Sequence, residues 1–412
     1  MPQPQPARRN ASPIPAQAQL APRRVLPLIV LAQLLGTTPW FAVNAVNSDL
    51  QRAFGWSAAA VGTLTAALQV GFIAGTLLFA LLAVADRFPA RRVFLISALA
   101  AAGCTLAAAQ VSKTAADFNT LLAWRVATGF CLAGIYPVGM KLAALWFPRG
   151  LGNALGWLVG ALIVGSASPH ALRALGAAWP WQHVFVAVAV AAATAGLIVV
   201  WALPEPPRPA PTAPLRLSAL ASLWRDGRVR ASVLGYFGHM AELYTLWVLM
   251  PVVLATRLAG AAAVSWWAFV ALGAGAIGCV AGGLLARRHG SAQVAAVQLA
   301  TSGLCCLAAP LLLQAPLPLF LAWLVLWGTT VAGDSPQFSA LTAANAPRQA
   351  VGSVLTLSNS IGFAISALSI ELFVRLAQSV PLGHLLPWLA LGPALGLLAL
   401  RPLLSSRPQP QP

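Results

Sequence analysis

The chain has 412 residues, of which 59% are hydrophobic and only 8% carry a charged side chain. Soluble domains carry about 25% charged residues, so the composition excludes an ordinary soluble fold. The net charge of +17 suggests nucleic-acid binding, but the arginines fall in short connections between apolar runs and form no basic face, which excludes that class. Five cysteines lie inside apolar runs without metal-ligand spacing, so neither disulfides nor a metal site is expected.

The apolar runs are long enough to cross a membrane. A helix needs about 20 apolar residues for this, and twelve segments qualify. The first is too long for a secretory signal and more runs follow it. We number the predicted segments spans 1 to 12: 25–46, 58–84, 93–111, 119–146, 153–175, 182–203, 231–256, 262–286, 292–313, 317–343, 352–375 and 383–401.

The connections between the spans predict the domain organisation. Residues 1–24 are rich in proline, alanine, glutamine and arginine and are predicted to form a disordered cytoplasmic tail. The one long connection, 204–230, begins PEPPRPAPTAP and divides two six-helix halves, 25–203 and 231–401. Residues 402–412 form a second tail. The predicted fold class is therefore an all-α membrane protein with twelve transmembrane helices in two halves of six.

The distribution of positive charge predicts the orientation. With both termini inside, 18 of the 25 lysines and arginines fall on the cytoplasmic side, and five fall on the other side. Cytoplasmic loops carry such an excess. We therefore expect a multi-pass protein of a bacterial inner membrane with both termini in the cytoplasm.

The connection between spans 2 and 3 carries the most specific motif. The segment 82–92 reads LAVADRFPARR and resembles the signature loop G-x-x-x-D-R-x-G-R-R of the major facilitator superfamily (MFS). Asp86, Arg87 and Arg91 match that pattern, whereas Leu82, Pro89 and Ala90 depart from it. A degenerate second copy follows span 8, where Gly283, Arg288 and Gly290 match and Arg287 replaces the acid. A positive-inside turn without further function is the alternative interpretation.

The resemblance implies two halves related by an axis along the membrane normal. It also implies a central cavity lined by spans 1, 4, 7 and 10, and a gating loop whose arginines pair across the cytoplasmic side. The candidate gating residues are Asp86, Arg87, Arg91 and Arg92. Spans 3, 6, 9 and 12 are expected to face lipid, and their cores hold no Asp, Glu, Lys or Arg.

Polar side chains deep in spans 1, 4, 7 and 10 are the candidate substrate- and proton-binding residues, because a charge at a helix centre costs about 2.5–3.5 kcal/mol and needs a partner. They are Asn44, Arg125, Lys141, Tyr236, His239, Glu242 and Asp334. Arg125 begins R-V-A-T-G, which resembles the R-x-x-x-G start of an MFS motif associated with proton coupling.

Each candidate also has a structural interpretation. Arg125 also fits a structural ion pair, and Lys141 fits a side chain that extends to the cytoplasmic face. His239 and Glu242, three residues apart on one helix face, fit a hydrogen bond that locks the helix. Asp334, beside Pro336, fits a cap for a broken helix.

No phosphate-binding loop or catalytic constellation appears, so we expect neither an ATP-driven pump nor an enzyme, and no cofactor. The predicted function is secondary active transport of a small molecule by a monomer in lipid, coupled to a proton exchanged at Glu242 or Asp334. Arg125 is expected to pair with that carboxylate or with substrate. The alternatives are efflux of hydrophobic or cationic compounds by proton antiport, and a sensor that transports nothing.

Overall fold

The computed structural model describes residues 22–111, 117–147, 151–206, 225–347 and 350–405. Throughout these ranges the regular structure is helical, with no strand. Ten helices in them are long and apolar enough to cross a membrane, and two shorter apolar helices, Val25–Gly36 and Ser291–Leu307, occupy spans 1 and 9. The arrangement is consistent with twelve crossings and confirms the all-α membrane fold.

Five of the spans are single helices, and each begins one to four residues earlier than predicted, span 7 by the most. The continuous helices are Ala90–Ala109, Leu151–Leu175, Trp181–Trp201, Gly227–Ala255 and Val351–Leu376, for spans 3, 5, 6, 7 and 11. Span 7 begins at Gly227 because the Asp226 side chain accepts hydrogen bonds from the backbone N–H groups of Arg228 and Val229 and so caps the helix.

The other spans are interrupted. The helical pieces are Val25–Gly36, Ala42–Ala45 and Asn47–Phe54 at span 1; Ala58–Leu81 and Val84–Arg87 at span 2; Asp117–Leu132 and Tyr136–Trp146 at span 4; Ala261–Gly273 and Gly275–His289 at span 8; Ser291–Leu307 and Ala309–Leu312 at span 9; Leu317–Gly333 and Ser335–Asn345 at span 10; and Leu382–Leu385, the 3₁₀ helix Leu386–Ala390 and Leu391–Leu404 at span 12.

Glycines allow two equivalent pairs of helices to touch backbone to backbone. A Cβ at Gly71 of span 2 would lie 1.9 Å from the carbonyl oxygen of Val126 in span 4. In the second six spans, a Cβ at Gly278 of span 8 would lie 2.0 Å from the carbonyl oxygen of Thr329 in span 10. Only glycine permits contacts this close, and their occurrence at spans 2 and 4 and again at spans 8 and 10 follows the internal repeat.

The two sets of six spans pack against each other along two seams. Span 2 lies against span 11, and span 5 lies against both pieces of span 8. Spans 3, 6, 9 and 12 contribute many of the large apolar side chains on the outer surface, such as Ile96, Val190, Leu304 and Leu395. That surface suits contact with lipid rather than water.

Candidate functional site

The signature loop lies at one end of the bundle, which we call the loop end. Asp86 forms an ion pair with Lys141 of span 4, and the Lys141 ammonium also donates to the carbonyl oxygen of Ala85. Lys141 therefore reaches the end of the bundle and does not point into its centre. This placement follows the structural interpretation of Lys141 rather than a contact with substrate.

The described partners of Arg91 lie at the end of span 6, in the same half as the loop. Its guanidinium donates to Glu205 at 2.6 Å, to the carbonyl oxygen of Val199 at 3.0 Å, and to that of Val200. Arg87 and Arg92 are exposed. In this structure Arg91 therefore pairs within its own half and not across the gate, because carbonyls at the C-terminal end of a nearby helix attract the guanidinium.

Span 1 is broken near its middle, and buried donors satisfy the freed carbonyls. Pro39 lacks a backbone N–H and cannot continue the helix. The Thr37 hydroxyl donates to the carbonyl oxygen of Gln33 at 2.9 Å, and that of Thr38 donates to the carbonyl oxygen of Leu35 at 2.9 Å. Arg125 donates to the carbonyl oxygens of Pro39 at 3.0 Å and Trp40 at 2.7 Å.

Arg125 is therefore a backbone-binding residue in this structure. Its side chain is 1% exposed, and only its Nε lacks a partner. The expected pairing with a carboxylate is not seen. Asn44, just past the break, accepts a hydrogen bond from Thr65 of span 2 at 3.1 Å. These two candidates hold the broken span 1 against spans 2 and 4.

The second half contains a buried imidazole–carboxyl pair. His239 Nδ1 of span 7 lies 2.8 Å from Asp334 Oδ1, and both side chains are fully buried. Despite this short distance, both ring nitrogens of His239 and both carboxyl oxygens of Asp334 lack a hydrogen bond among the described residues. Asp334 lies at the junction of the two helices of span 10, where Pro336 follows in the first turn of the second helix. A break of this kind exposes backbone groups, and ion sites in membrane transporters are typically formed by such discontinuous helices.

Glu242 lies on the same helix but binds different partners. Its Oε1 accepts hydrogen bonds from Ser302 at 2.5 Å, Trp327 at 2.6 Å and the thiol of Cys306 at 3.2 Å. Its Oε2 has no partner, and the residue is fully buried. The predicted contact between His239 and Glu242 is replaced by two separate contacts, each to a neighbouring span.

A small cavity lies between the two halves. Its volume is about 30 Å³, enough for one or two water molecules. Its lining comes from spans 4, 5, 7, 10 and 11, so span 1, which was expected to line it, does not contribute. The lining residues are Tyr136, Val159, Leu162, Ile163, Tyr236, Met240, Leu243, Tyr244, Trp247, Ala332, Ser335, Ser339, Asn359 and Phe363.

Tyr236 is the candidate that the structure places on the cavity wall, and it links the wall to the buried pair. Its ring lies 5.8 Å from the His239 ring and 6.5 Å from Phe338. His239 and Asp334 therefore lie one layer behind the wall. Sequence reasoning missed Tyr136, Tyr244 and Asn359 as wall residues, because it chose mainly ionisable side chains in spans 1, 4, 7 and 10 and did not consider span 11.

An aromatic layer covers the cavity on the side away from the loop end. It consists of Trp40, Phe41, Phe72, Tyr244, Trp247 and Phe363, three from each half. Trp40 stacks on Tyr244 at 6.1 Å, with Phe41 5.2 Å from Trp247 and Phe72 4.7 Å from Phe363. Beyond this layer, the Thr63 hydroxyl of span 2 donates to the Glu371 carboxylate of span 11 at 3.1 Å. The halves are thus joined across this side.

Solved membrane transporters share the overall fold of this chain. The D-xylose–proton symporter superposes with a TM-score of 0.75 at 15% identity, covering 94% of this chain and 98% of that chain. The nucleoside transporter NupG superposes with a TM-score of 0.72 at 13% identity, covering 92% of this chain and 99% of that chain. A bacterial homologue of the human lysosomal transporter Spinster, solved in an inward-facing and unoccupied conformation, superposes with a TM-score of 0.68 at 17% identity. The match covers 94% of this chain and 98% of that chain.

These identities establish the fold and no more. No curated protein sequence matches the chain. The sequence model of the Major Facilitator Superfamily, however, matches residues 29–370, which is most of the chain and includes the signature loop and both broken spans 4 and 10. The chain therefore belongs to the Major Facilitator Superfamily of membrane transporters.

Proposed function

We propose that this protein is a secondary active transporter that moves a small molecule across a bacterial inner membrane by alternating access, with a proton exchanged at the His239–Asp334 pair. The observation that carries the proposal is the position of that pair. Both side chains are fully buried, with His239 Nδ1 2.8 Å from Asp334 Oδ1. Asp334 lies at the break in span 10, and the pair lies one layer behind the cavity wall. A carboxyl group and an imidazole in contact hold and release a proton without leaving an unpaired buried charge.

The dimensions of the cavity support alternating access. A space of about 30 Å³ admits water but no metabolite, so substrate enters only after the halves separate. The aromatic layer and the contact between Thr63 and Glu371 join the halves on one side. A cycle that opens each side in turn around the cavity is the motion typical of such two-half folds.

Tyr236 provides the link between substrate and proton. Substrate that touches Tyr236 from the cavity displaces a ring that contacts His239 from the other face. The His239–Asp334 geometry then changes, and the affinity of the pair for a proton changes with it. By thermodynamic reciprocity, proton binding alters substrate affinity by the same factor.

The efflux alternative for cationic compounds lacks an acid at the wall. None of the described side chains that line the cavity is charged, and an uncompensated cation there would be costly. Proton symport is also the activity named for one of the structural neighbours, the D-xylose–proton symporter. Glu242 is the second candidate proton site, but three donors already fix its Oε1.

The test is transport by purified full-length protein in proteoliposomes loaded with a pH dye. Addition of a ligand found by thermal-shift screening acidifies the lumen with the wild-type protein. Asp334→Asn and His239→Gln are expected to abolish acidification while exchange of labelled ligand continues. Asp226→Asn serves as the matched control, because asparagine caps a helix as well as aspartate does. Full proton movement in Asp334→Asn, or a wild-type protein that moves no ligand at all, would refute the proposal, and the latter result would favour a sensor.

Orientation has its own test. Cysteines introduced at Asn47 and Gly260 are expected to react with an impermeant thiol reagent in intact cells. A cysteine at Pro209, outside the described residues, is expected to react only after lysis. The reverse pattern would place both termini outside and contradict the proposed topology.

A further inference from the structure

The tyrosines of this chain are concentrated in one place. The sequence contains 16 phenylalanines and 15 tryptophans, but only three tyrosines. All three, Tyr136, Tyr236 and Tyr244, line the central cavity. Elsewhere the chain uses aromatic rings without a phenolic hydroxyl, so the hydroxyls occur only where a molecule in the cavity can reach them.

In the part of the chain that the structure describes, none of the three hydroxyl groups forms a hydrogen bond to protein, and none is a fully enclosed atom, so each is open to the cavity that it lines. Tyr236 and Tyr244 are 7% and 5% exposed, and what remains open is the cavity. A buried tyrosine hydroxyl ordinarily finds a hydrogen-bond partner. The missing partners are therefore supplied by whatever occupies the cavity.

Packing holds one of these rings in a fixed position. A Cβ at Gly362 of span 11 would lie 2.5 Å from Cε1 of Tyr236. Glycine at this position therefore allows the Tyr236 ring to lie against the backbone of span 11. An alanine there would displace the ring, which shows that the position of Tyr236 depends on a neighbouring span.

The remaining wall combines polar and apolar groups. Ser335, Ser339 and Asn359 add neutral hydrogen-bonding groups from spans 10 and 11. Span 5 contributes aliphatic side chains, and the Phe363 ring lies 5.4 Å from that of Tyr244. Flat or apolar faces pack favourably against such aromatic surfaces.

The nearby buried charges do not line the cavity. Arg125 binds the span 1 carbonyls, Glu242 binds three donors, and Asp334 faces His239. An ion in the cavity would find no free counter-charge among the described wall residues, and a buried unpaired ion is strongly disfavoured. The wall is therefore suited to an uncharged occupant.

We propose that Tyr136, Tyr236 and Tyr244 form the substrate's hydrogen-bonding site, and that the substrate is an uncharged ring compound with several hydroxyl or carbonyl groups and one apolar face. Neutral sugars and nucleosides share this chemistry. The inference rests on the proposed function only in taking the central cavity as the transport site, and it is tested by binding alone.

The first experiment measures ligand binding to purified full-length protein by thermal shift, without a membrane or a gradient. The probes are pentoses, hexoses, nucleosides and aromatic alcohols, each paired with a charged derivative, such as uridine with uridine 5′-monophosphate and D-xylose with D-xylonate. Neutral members are expected to stabilise the protein and charged members are not. Stabilisation by charged members only, or by none of the probes, would overturn the proposal.

The second experiment uses the best neutral ligand and variants that remove one hydroxyl each. Tyr136→Phe, Tyr236→Phe and Tyr244→Phe are each expected to weaken binding about three- to tenfold. Gly362→Ala, which keeps the hydroxyl but displaces the ring, is expected to weaken it at least as much as Tyr236→Phe. Thr105→Val removes a buried hydroxyl of span 3 that bonds its own helix and is the matched control, with unchanged affinity.

Wild-type affinity in all three Tyr→Phe variants would overturn the proposal. Because these variants keep the ring, loss of folding is not expected, and circular dichroism checks it. If neutral ligands bind through the tyrosines but no proton moves, the proposed coupling fails and this inference stands. If a charged ligand is transported with protons and the tyrosines are dispensable, the coupling stands and this inference fails.

Discussion

The two halves of the protein treat buried charge differently. In the first half, both terminal nitrogens of the Arg125 guanidinium donate to carbonyl oxygens of a broken helix, and only its Nε lacks a partner. In the second half, Asp334 and Glu242 each keep an oxygen without a partner. A satisfied buried charge stabilises structure, whereas an incompletely satisfied carboxyl group is ready to gain or lose a proton. In the proposed function, Arg125 therefore has a structural role and the second half carries the proton exchange.

The largest expected effect is on the folding of the first half. Arg125→Met leaves the carbonyl oxygens of Pro39 and Trp40 without donors inside the bundle. We expect a loss of about 3 to 5 kcal/mol in the free energy of unfolding, measured as a large drop in the melting temperature of the purified protein. Arg125→Lys, which retains one donor group, should lose less. An Arg125→Met variant that keeps its full stability and loses only transport would show that Arg125 takes part in transport, and would contradict its structural role.

Replacing the second acid sharpens the comparison within the second half. Glu242→Gln preserves an acceptor for Ser302, Trp327 and Cys306. We expect a stability loss of about 1 kcal/mol and continued proton-coupled accumulation of ligand in proteoliposomes. If Glu242→Gln abolishes accumulation while Asp334→Asn does not, the two acids exchange roles and Glu242 is the proton site.

The contact between the halves is expected to have a smaller effect. Thr63→Val removes the hydrogen bond to Glu371, and we expect the closed side to open about fivefold more often, since such a bond contributes about 1 kcal/mol. Ser366→Cys, buried at the seam opposite Gln69, reports this opening as faster labelling in a background without the native cysteines. Thr301→Val, on the exposed face of span 9, is the control. Equal labelling in both variants would show that this contact does not hold the halves together.

The smallest effect is expected at the loop end. The side chains of Asp86 and Lys141 are 35% and 18% exposed, so solvent weakens the ion pair and it contributes at most about 1 kcal/mol. Asp86→Asn and Lys141→Met are each expected to slow transport several-fold without loss of expression, and the double variant should be no slower. Additive rate losses would show that the two residues act separately.

Hydropathy and charge predicted the fold because the membrane constrains both strongly. Apolar length determined the spans, and the signature loop identified the superfamily. The break in span 1 was less visible, although Thr37, Thr38 and Pro39 marked it. Without that break, Arg125 looked like an unpaired functional charge. Its actual partners are backbone carbonyls, which no side-chain pattern in the sequence reveals.

The site was only partly predictable for a geometric reason. Residues three apart share a helix face, which suggested that His239 and Glu242 contact each other. The neighbouring helices decide the partners instead. Span 10 brings Asp334 to His239, and span 9 brings Ser302 to Glu242. The tyrosines could have been noticed in the sequence because there are only three of them. That signal lies in the rarity of the residue type and not in a buried charge.

The most direct test of the central claim is a count of the protons exchanged when ligand binds. Calorimetric titration of the best neutral ligand, in two buffers with different ionisation enthalpies, gives this number for the purified protein without a gradient. The wild-type protein and Glu242→Gln are expected to exchange protons, and Asp334→Asn is expected to bind ligand and exchange none. Wild-type proton exchange in Asp334→Asn would contradict the assignment of proton coupling to the His239–Asp334 pair.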